Sequence, residues 1–465
     1  MAGTVYKKSL FIFRRDLRLP DNKGLAEALK TSERVIACFN FDPRQVASKN
    51  AYKSDNALQF MLESLHDLEQ QIKKQKGKLY LFYGDPLKTI SHIILQEKID
   101  ALFLNFDYTP FSQKRDKAIE KLCVKKNVAF HGYHDELLIG DPDSIMTGSN
   151  TPYSIYTAFY KKAAHQKVSP PQRLPKGAFF TGTISKSEPQ SIYKKILKKE
   201  NAHIKVHGGR SNSLTILKTL KSKQAAYNKE RNYPALDATT HLSASHKFGT
   251  ISIRESYHAI KKALGAHSQL LKELYWRDFF TYIAYHNPFV FGQPYHEKYK
   301  TLWWSKSNTD FKKWCEGTTG FPIVDAGMRQ MNTTGWMHNR VRMIVASFLT
   351  KDLHINWLWG EKYFAQQLVD YDPAVNNGNW QWAASTGCDA QPYFRIFNPW
   401  TQQKKFDPNC EYIKKWIPEL KNREPKIIHA WDKKSKEIKI EGYPAPIIDH
   451  DAERKITLKS YKKVS

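Results

Sequence analysis

The sequence predicts an α/β N-terminal domain, a five-stranded parallel sheet wound on both faces by helices, followed by an all-α domain. From Lys8 to about Asp135, short apolar runs alternate with stretches of helical periodicity. Beyond Ser211 nearly every strong pattern up to about Pro425 is helical. A chain of 465 residues is too long for one ordinary core, and 41% apolar content is enough to fill two.

In chain order, Ser9–Phe13, Arg34–Phe41, Lys78–Tyr83, Asp100–Phe106 and Val128–His131 read as strands. Between them Lys23–Lys30, Asn56–Gln75, Pro86–Gln96 and Phe111–Lys126 read as helices, the alternation that gives a parallel sheet covered on both sides. Ligands of such sheets bind beyond the carboxyl ends of the strands. No G-x-G-x-x-G follows the first strand, so the usual dinucleotide fingerprint is absent. From Tyr133 to about His207 the pattern dissolves into Pro, Gly, Ser and Lys, as a long connector over the surface. The expected division is residues 1–132 for the α/β domain, 133–207 for the connector and 208–465 for the helical domain. The tail from Ile427 to Ser465 reads as charged and irregular, without a Gln/Ser-rich extension, and no solenoid-length repeat is present.

The 73 Lys and Arg against 45 Asp and Glu give a formal charge of +28, which favours a polyanionic partner, nucleic acid before an anionic membrane. Aromatic content of 13%, with 12 Trp, supports nucleic acid, because basic residues interleaved with aromatics suit base stacking. Five scattered cysteines without a C-x-x-C argue against a zinc site and a disulfide framework, and for a reducing compartment. The apolar run Ser9–Phe13 is too short for a signal peptide, and none reaches membrane-spanning length. The expectation is a monomer inside the cell, cytoplasmic in a bacterium or archaeon and nuclear in a eukaryote.

Three segments carry the chemistry. Glu273, Trp276 and Arg277 fall at i, i+3 and i+4, so a carboxylate, an indole and a guanidinium share one helical face suited to a flat heteroaromatic ligand with imide edges. Tyr227 precedes Thr239-Thr240-His241-Leu242-Ser243, where hydroxyls and successive N–H groups at a helix start can hold a pyrophosphate without a lysine. The third runs through Gly335–Met343 and Asp370–Asn377 to Trp380 and Trp382. If that last stretch is helical, positions two apart point to nearly opposite faces. One indole can then face the interior while the other lines a surface cavity.

These segments resemble the flavin-binding domain of DNA photolyases and cryptochromes, most closely class I cyclobutane pyrimidine dimer photolyases, over essentially the whole chain. The resemblance implies FAD, bound by Tyr227, Thr239, Thr240, His241, Leu242, Ser243, Arg277, Arg342, Asp370, Asp372 and Asn376. It implies a lesion cavity of Glu273, Trp276, Asn339, Met343 and Trp382, and a photoreduction relay of Trp380, Trp357 and Trp304. The implied activity is light-driven repair of UV-damaged, double-stranded DNA by electron transfer from excited reduced FAD to a flipped-out cyclobutane dimer.

Within the family, plant cryptochromes carry Asp and animal ones usually Cys where this chain has Asn376, so Asn favours the repair enzyme. The (6-4) photolyases place two histidines where Asn339 and Met343 stand, and the DASH group lacks the tryptophan found here as Trp382. A photoreceptor signalling through protein partners and a flavin-free DNA-binding protein are the alternatives. For the antenna site of the N-terminal domain the expectation is a deazaflavin, a second flavin such as FMN, or nothing, rather than methenyltetrahydrofolate. Lys49 replaces the His, and Phe111-Ser112 replace the Asn-Glu, that the folate requires in this family.

Overall fold

The computed structural model describes residues 5–464, and the chain forms two compact units. The first takes in the chain through Asn201 with Val206–Ala225 and Thr240–Pro288; the second comprises Ala202–Lys205, Ala226–Thr239 and the chain from Phe289 onward.

In the first unit β1 (Tyr6–Phe13), β2 (Ser32–Phe41), β3 (Leu79–Tyr83), β4 (Ala101–Asn105) and β5 (Ala129–Tyr133) pair in parallel, in the order β3-β2-β1-β4-β5. The chain steps outward from β1 through β2 to β3, then returns to place β4 on the other side of β1. The strand order therefore reverses between β1 and β4, where a ligand crevice is expected at the carboxyl ends. Leu10 and Ile12 of β1 pack with Ile36, Leu102 and Leu104 against Ile90, Ile93 and Ile94 of the helix Pro86–Glu97. Helix starts are chemically marked. Asn22, Ser54, Asp85 and Thr109 each accept a backbone N–H three residues on, and Pro86 and Pro110 follow the last two at first-turn positions. Gly24 is required by close approach: its N–H lies 3.0 Å from Asn105 Oδ1, and a Cβ there would sit 2.9 Å from that oxygen and 3.1 Å from the Phe11 ring.

Two expectations are corrected. The segment after Tyr133 is not wholly irregular, because Tyr156–Ala164 is a helix burying Tyr156, Phe159 and Ala163. Farther along, Val35 N–H donates to Ala178 O and Phe180 N–H to Val35 O, tying the segment to the sheet. Its Pro- and Lys-rich composition hides three buried positions spread over two turns. The charged tail, too, contains a helix, His450–Lys462, with Asp449 accepting the Ala452 N–H. That helix has almost no apolar stripe to read. It is held mainly by polar contacts: Glu453 to His354 Nε2 at 2.6 Å, His450 to Asp352, Thr457 Oγ1 to Lys351 O, and Tyr461 OH to Ala384 O at 2.6 Å.

The second unit is helical throughout the site region. Helices Asn308–Glu316, Pro322–Thr334, Asn339–Ser347, Trp357–Gln367 and Pro373–Ala383 contribute to a core that includes Trp314, Ile323, Val345, Leu349, Trp357 and Trp380. Gly360 lets the fourth and fifth of these close on each other, since a Cβ there would lie 2.2 Å from the Trp380 ring. Among the described residues no helix is long and apolar enough to cross a membrane, and no cluster of His, Cys, Asp and Glu could hold a metal ion.

Candidate active site

In the first unit the helix Gln269–His286 carries Glu273, Trp276 and Arg277, with Ser268 Oγ accepting the Leu270 N–H at its start. Gln269 Nε2 donates to Glu273 Oε1 at 3.0 Å, one turn back. Trp276 is half-buried and lies flat on Tyr156, ring centroids 3.6 Å apart and planes 7° from parallel. Tyr156 is itself fixed by its hydroxyl, which donates to Lys272 O at 2.9 Å. One face of the Trp276 indole is therefore covered, and the Phe280 ring lies 5.5 Å from it, tilted by 32°. In the run from Thr240 to Ser243, His241 adopts a left-handed backbone (φ 55°), Leu242 is buried and Ser243 is exposed at the start of a six-residue helix.

Arg277 turns toward a cavity of the same unit, beyond the carboxyl ends of β1, β4 and β5. Its Nη2 donates to Glu136 Oε1 at 2.8 Å and its Nη1 to Glu136 O at 3.0 Å. Arg15, Arg18, Asp107 and His246 also line this space. Burial alone would push the Asp107 carboxyl up, but the guanidiniums of Arg15 and Arg115 hold it well below the usual carboxylate range. His246 is driven down to about 3 by burial and by Arg277, which keeps its imidazole neutral at physiological pH. Lys49 is exposed, and Ser112 is buried with its N–H on Thr109 Oγ1. Phe111 carries the guanidiniums of Arg44 and Arg115 at 4.9 and 5.9 Å from its ring centre.

In the second unit Arg342 and Asp370 form a two-pronged ion pair, Nη1–Oδ1 3.2 Å and Nη2–Oδ2 3.0 Å, and Arg342 Nε donates to Met337 O at 2.8 Å. Asn339 and Met343 lie one turn apart on one helix, with Asn339 Nδ2 3.9 Å from the Met343 sulfur. Asp372 starts the helix Pro373–Ala383, its Oδ1 accepting the N–H groups of Ala374 and Val375. One turn on, Asn376 Nδ2 donates to Glu361 Oε1 at 3.0 Å and to Glu361 O at 3.1 Å. Both amide hydrogens are committed, which leaves the Asn376 carbonyl oxygen as the group to present. Glu361 is buried, and burial lifts its carboxyl to about 7 against the opposing hydrogen bond from Asn376. Trp380 is 2% exposed in the core, whereas Trp382 is half-buried at its margin. Trp357 is buried, Trp304 is half-buried, and no ring contact joins Trp380, Trp357 and Trp304 to one another. Tyr227 is buried, and Thr239 Oγ1 is a buried hydroxyl with no hydrogen-bond partner.

The chain matches the model of the FAD-binding domain of DNA photolyase over residues 270–463 and that of DNA photolyase over residues 9–176. A deoxyribodipyrimidine photo-lyase of Alkalihalophilus pseudofirmus is 36% identical, over 97% of each chain. The chain belongs to the DNA photolyase family. Among solved structures, an archaeal photolyase from Sulfolobus tokodaii with two FAD molecules is 42% identical with a TM-score of 0.88, covering 98% of this chain and 100% of that one. A class III photolyase from Agrobacterium tumefaciens is 33% identical with a TM-score of 0.90, covering 98% of each. For a photolyase-family flavin the residues present fit: the Thr239 hydroxyl is buried without a hydrogen-bond partner, and Asn376, with its amide hydrogens on Glu361, keeps its carbonyl oxygen as an acceptor. Sequence reasoning missed two supports of this site, Tyr156 behind Trp276 and Glu361 behind Asn376. Tyr156 lay in the supposed connector, and nothing in Trp359-Gly360-Glu361-Lys362 distinguishes a buried carboxylate from a surface one.

Proposed function

We propose that the chain splits cyclobutane pyrimidine dimers in double-stranded DNA under near-UV or blue light, with reduced FAD as cofactor. FAD, when bound, supplies the light-absorbing electron donor. Tyr227 and the run Thr239 to Ser243 would hold its phosphates, Arg342, Asp370, Asp372 and Asn376 would surround its ring system, and Arg277 would stand nearer the flavin than Glu273 and Trp276 do. The observation that carries the reading is the Asn376 amide. With both hydrogens on Glu361, it offers an acceptor, which suits a ring nitrogen bearing hydrogen, as in reduced flavin, and not a bare one.

A dimer inside a duplex has to leave the stack, at a cost of about a few kcal/mol that is smaller for a poorly stacked lesion. Trp276, backed by Tyr156, and Trp382 would form the aromatic walls that repay it, each stacking contact contributing about 1–3 kcal/mol. Asn339 and Met343 would complete the cavity. Glu273 would stabilise charge developing on a pyrimidine carbonyl. Trp380, Trp357 and Trp304 would feed electrons to oxidised cofactor. The same reading takes the chain as a monomer of the cell interior, with domains at residues 1–132 and 208–465 around a connector, and a deazaflavin or FMN as second chromophore.

The test is dimer-containing duplex DNA incubated with the reduced protein in light and in darkness. Dimers should disappear only in light. Equal loss in darkness would remove the photochemical mechanism, and activity confined to (6-4) lesions would remove the assignment of the cavity.

A further inference from the structure

We propose that electrons reach Trp380 by a second route, from Trp359 at the surface through Phe311 and Trp314, alongside any route through Trp357. This rests on the reading that the flavin lies next to Trp380. Electron transfer between side chains falls off steeply with the gap between them, so ring contacts mark the short steps. Trp380 has two such partners among the described residues, Phe364 at 4.9 Å and Trp314 at 6.1 Å between ring centres. Phe311 stacks on Trp314 at 5.8 Å with planes 18° apart, and Trp359 meets Phe311 edge-on at 5.2 Å. Trp314 is fully buried, while Trp359 is half-buried and open to water. Trp357 and Trp359 stand two apart on the helix Trp357–Gln367, so one helix offers two indoles in different directions.

Proton chemistry gives the route its direction. Trp380 Nε1 is buried without a hydrogen-bond partner, and Trp314 Nε1 donates to Val345 O at 3.0 Å, a carbonyl that cannot accept a proton as a base. An indole oxidised at either position keeps its proton, so its charge is relieved by an electron from the next ring. Phe311 is too hard to oxidise and serves as a bridge. Tyr363 touches Trp314 at 5.9 Å, but its hydroxyl donates to Asn332 Oδ1 and Cys315 O, neither of which is a base, so it is a dead end. At Trp359 the balance closes. The residue gives up one electron inward, loses its indole N–H proton to water as a neutral radical, and is restored by one electron and one proton from a thiol in solution.

The experiment uses flavin-loaded protein, oxidised, in blue light with a thiol present, and follows flavin bleaching together with the transient absorption of tryptophan radicals. Trp357→Phe should retain measurable photoreduction with a neutral tryptophan radical. Adding Trp359→Phe should slow it further by about tenfold or more and abolish the neutral radical. Trp314→Phe in the Trp357→Phe background should do the same, and since the two second-site changes differ in burial, a folding defect in one leaves the other decisive. If Trp357→Phe alone is as slow as both double variants, the branch is absent and the single relay stands. If the double variants photoreduce at the wild-type rate, both routes are wrong. Wild-type protein that retains no flavin after purification and reconstitution would overturn the branch together with the reading beneath it.

Discussion

Trp380 and Trp382 are two residues apart on one helix and meet different surroundings, one sealed in the core and the other at its margin. A helix alone separates positions two apart, and the helix exists because Asp372 and Pro373 start it well. Trp382→Ala should weaken the preference for damaged over undamaged DNA by about 1–3 kcal/mol, with flavin still bound. The ratio of the two dissociation constants measures the first and flavin absorbance the second. Loss of flavin with intact lesion affinity would mean that the two indoles have exchanged roles. Glu361 carries a separate prediction. Its carboxyl is lifted from an ordinary 4.5 to about 7, so the stability it contributes is fully present below about 4.5 and is lost as pH rises through about 7. Asp278, lifted to about 7, and Asp352, lifted to about 6, work in the same sense through burial. These three carboxyls pull the thermal midpoint of flavin-free protein down between about pH 5 and about pH 8, against the buried His246, which adds stability as pH rises toward 6.5, and Glu361→Gln should remove part of that downward pull. Identical pH slopes in the two proteins would show that Glu361 does not titrate in this range.

At the scale of elements, the α/β domain was legible because two periods alternate along it. The observed β1 begins earlier than expected, at Tyr6, since Lys7 and Lys8 break the apolar run without breaking the ladder. What escaped were elements held by few or polar contacts. The helix Tyr156–Ala164 hides in a Pro- and Lys-rich stretch, and the helix His450–Lys462 buries His450, Thr457 and Tyr461 in place of a leucine stripe. The candidate lesion and flavin motifs stand in the sequence as residue types at set spacings. Their supports do not, because a hydrogen bond from Asn376 to a residue on another helix leaves no trace in spacing. One element-scale prediction concerns the start of the helix Pro110–Lys125. There Phe111 is engaged by Arg44 and Arg115, and Ser112 is buried in the first turn, so neither position offers the amide and carboxylate that a folate uses in this family. Chromophores released by denaturation and identified by mass should include FAD and no methenyltetrahydrofolate. Recovery of that folate in stoichiometric amount would show that Lys49, Phe111 and Ser112 do not decide the matter.

At the scale of the whole molecule, a charge of +28 and the aromatic walls proposed above would act on DNA by different physics, and salt separates them. Lysines and arginines neutralise phosphates wherever the duplex lies, and the released counterions make log K fall against log salt by about 0.9 per phosphate contact. Six or more such contacts would cost roughly a thousandfold in affinity between about 50 and about 200 mM salt, for damaged and undamaged DNA alike. Stacking of a flipped dimer on Trp276 and Trp382, as proposed, would release few counterions and so contribute little to that slope. The two binding curves should therefore shift together, and the ratio of damaged to undamaged affinity should stay within about threefold while each affinity drops by orders of magnitude. Titrations of labelled duplexes, with and without a single dimer, over that salt range measure both quantities. If the ratio collapses as salt rises, discrimination resides in phosphate contacts along a kinked backbone and the aromatic cavity is not what reads the lesion.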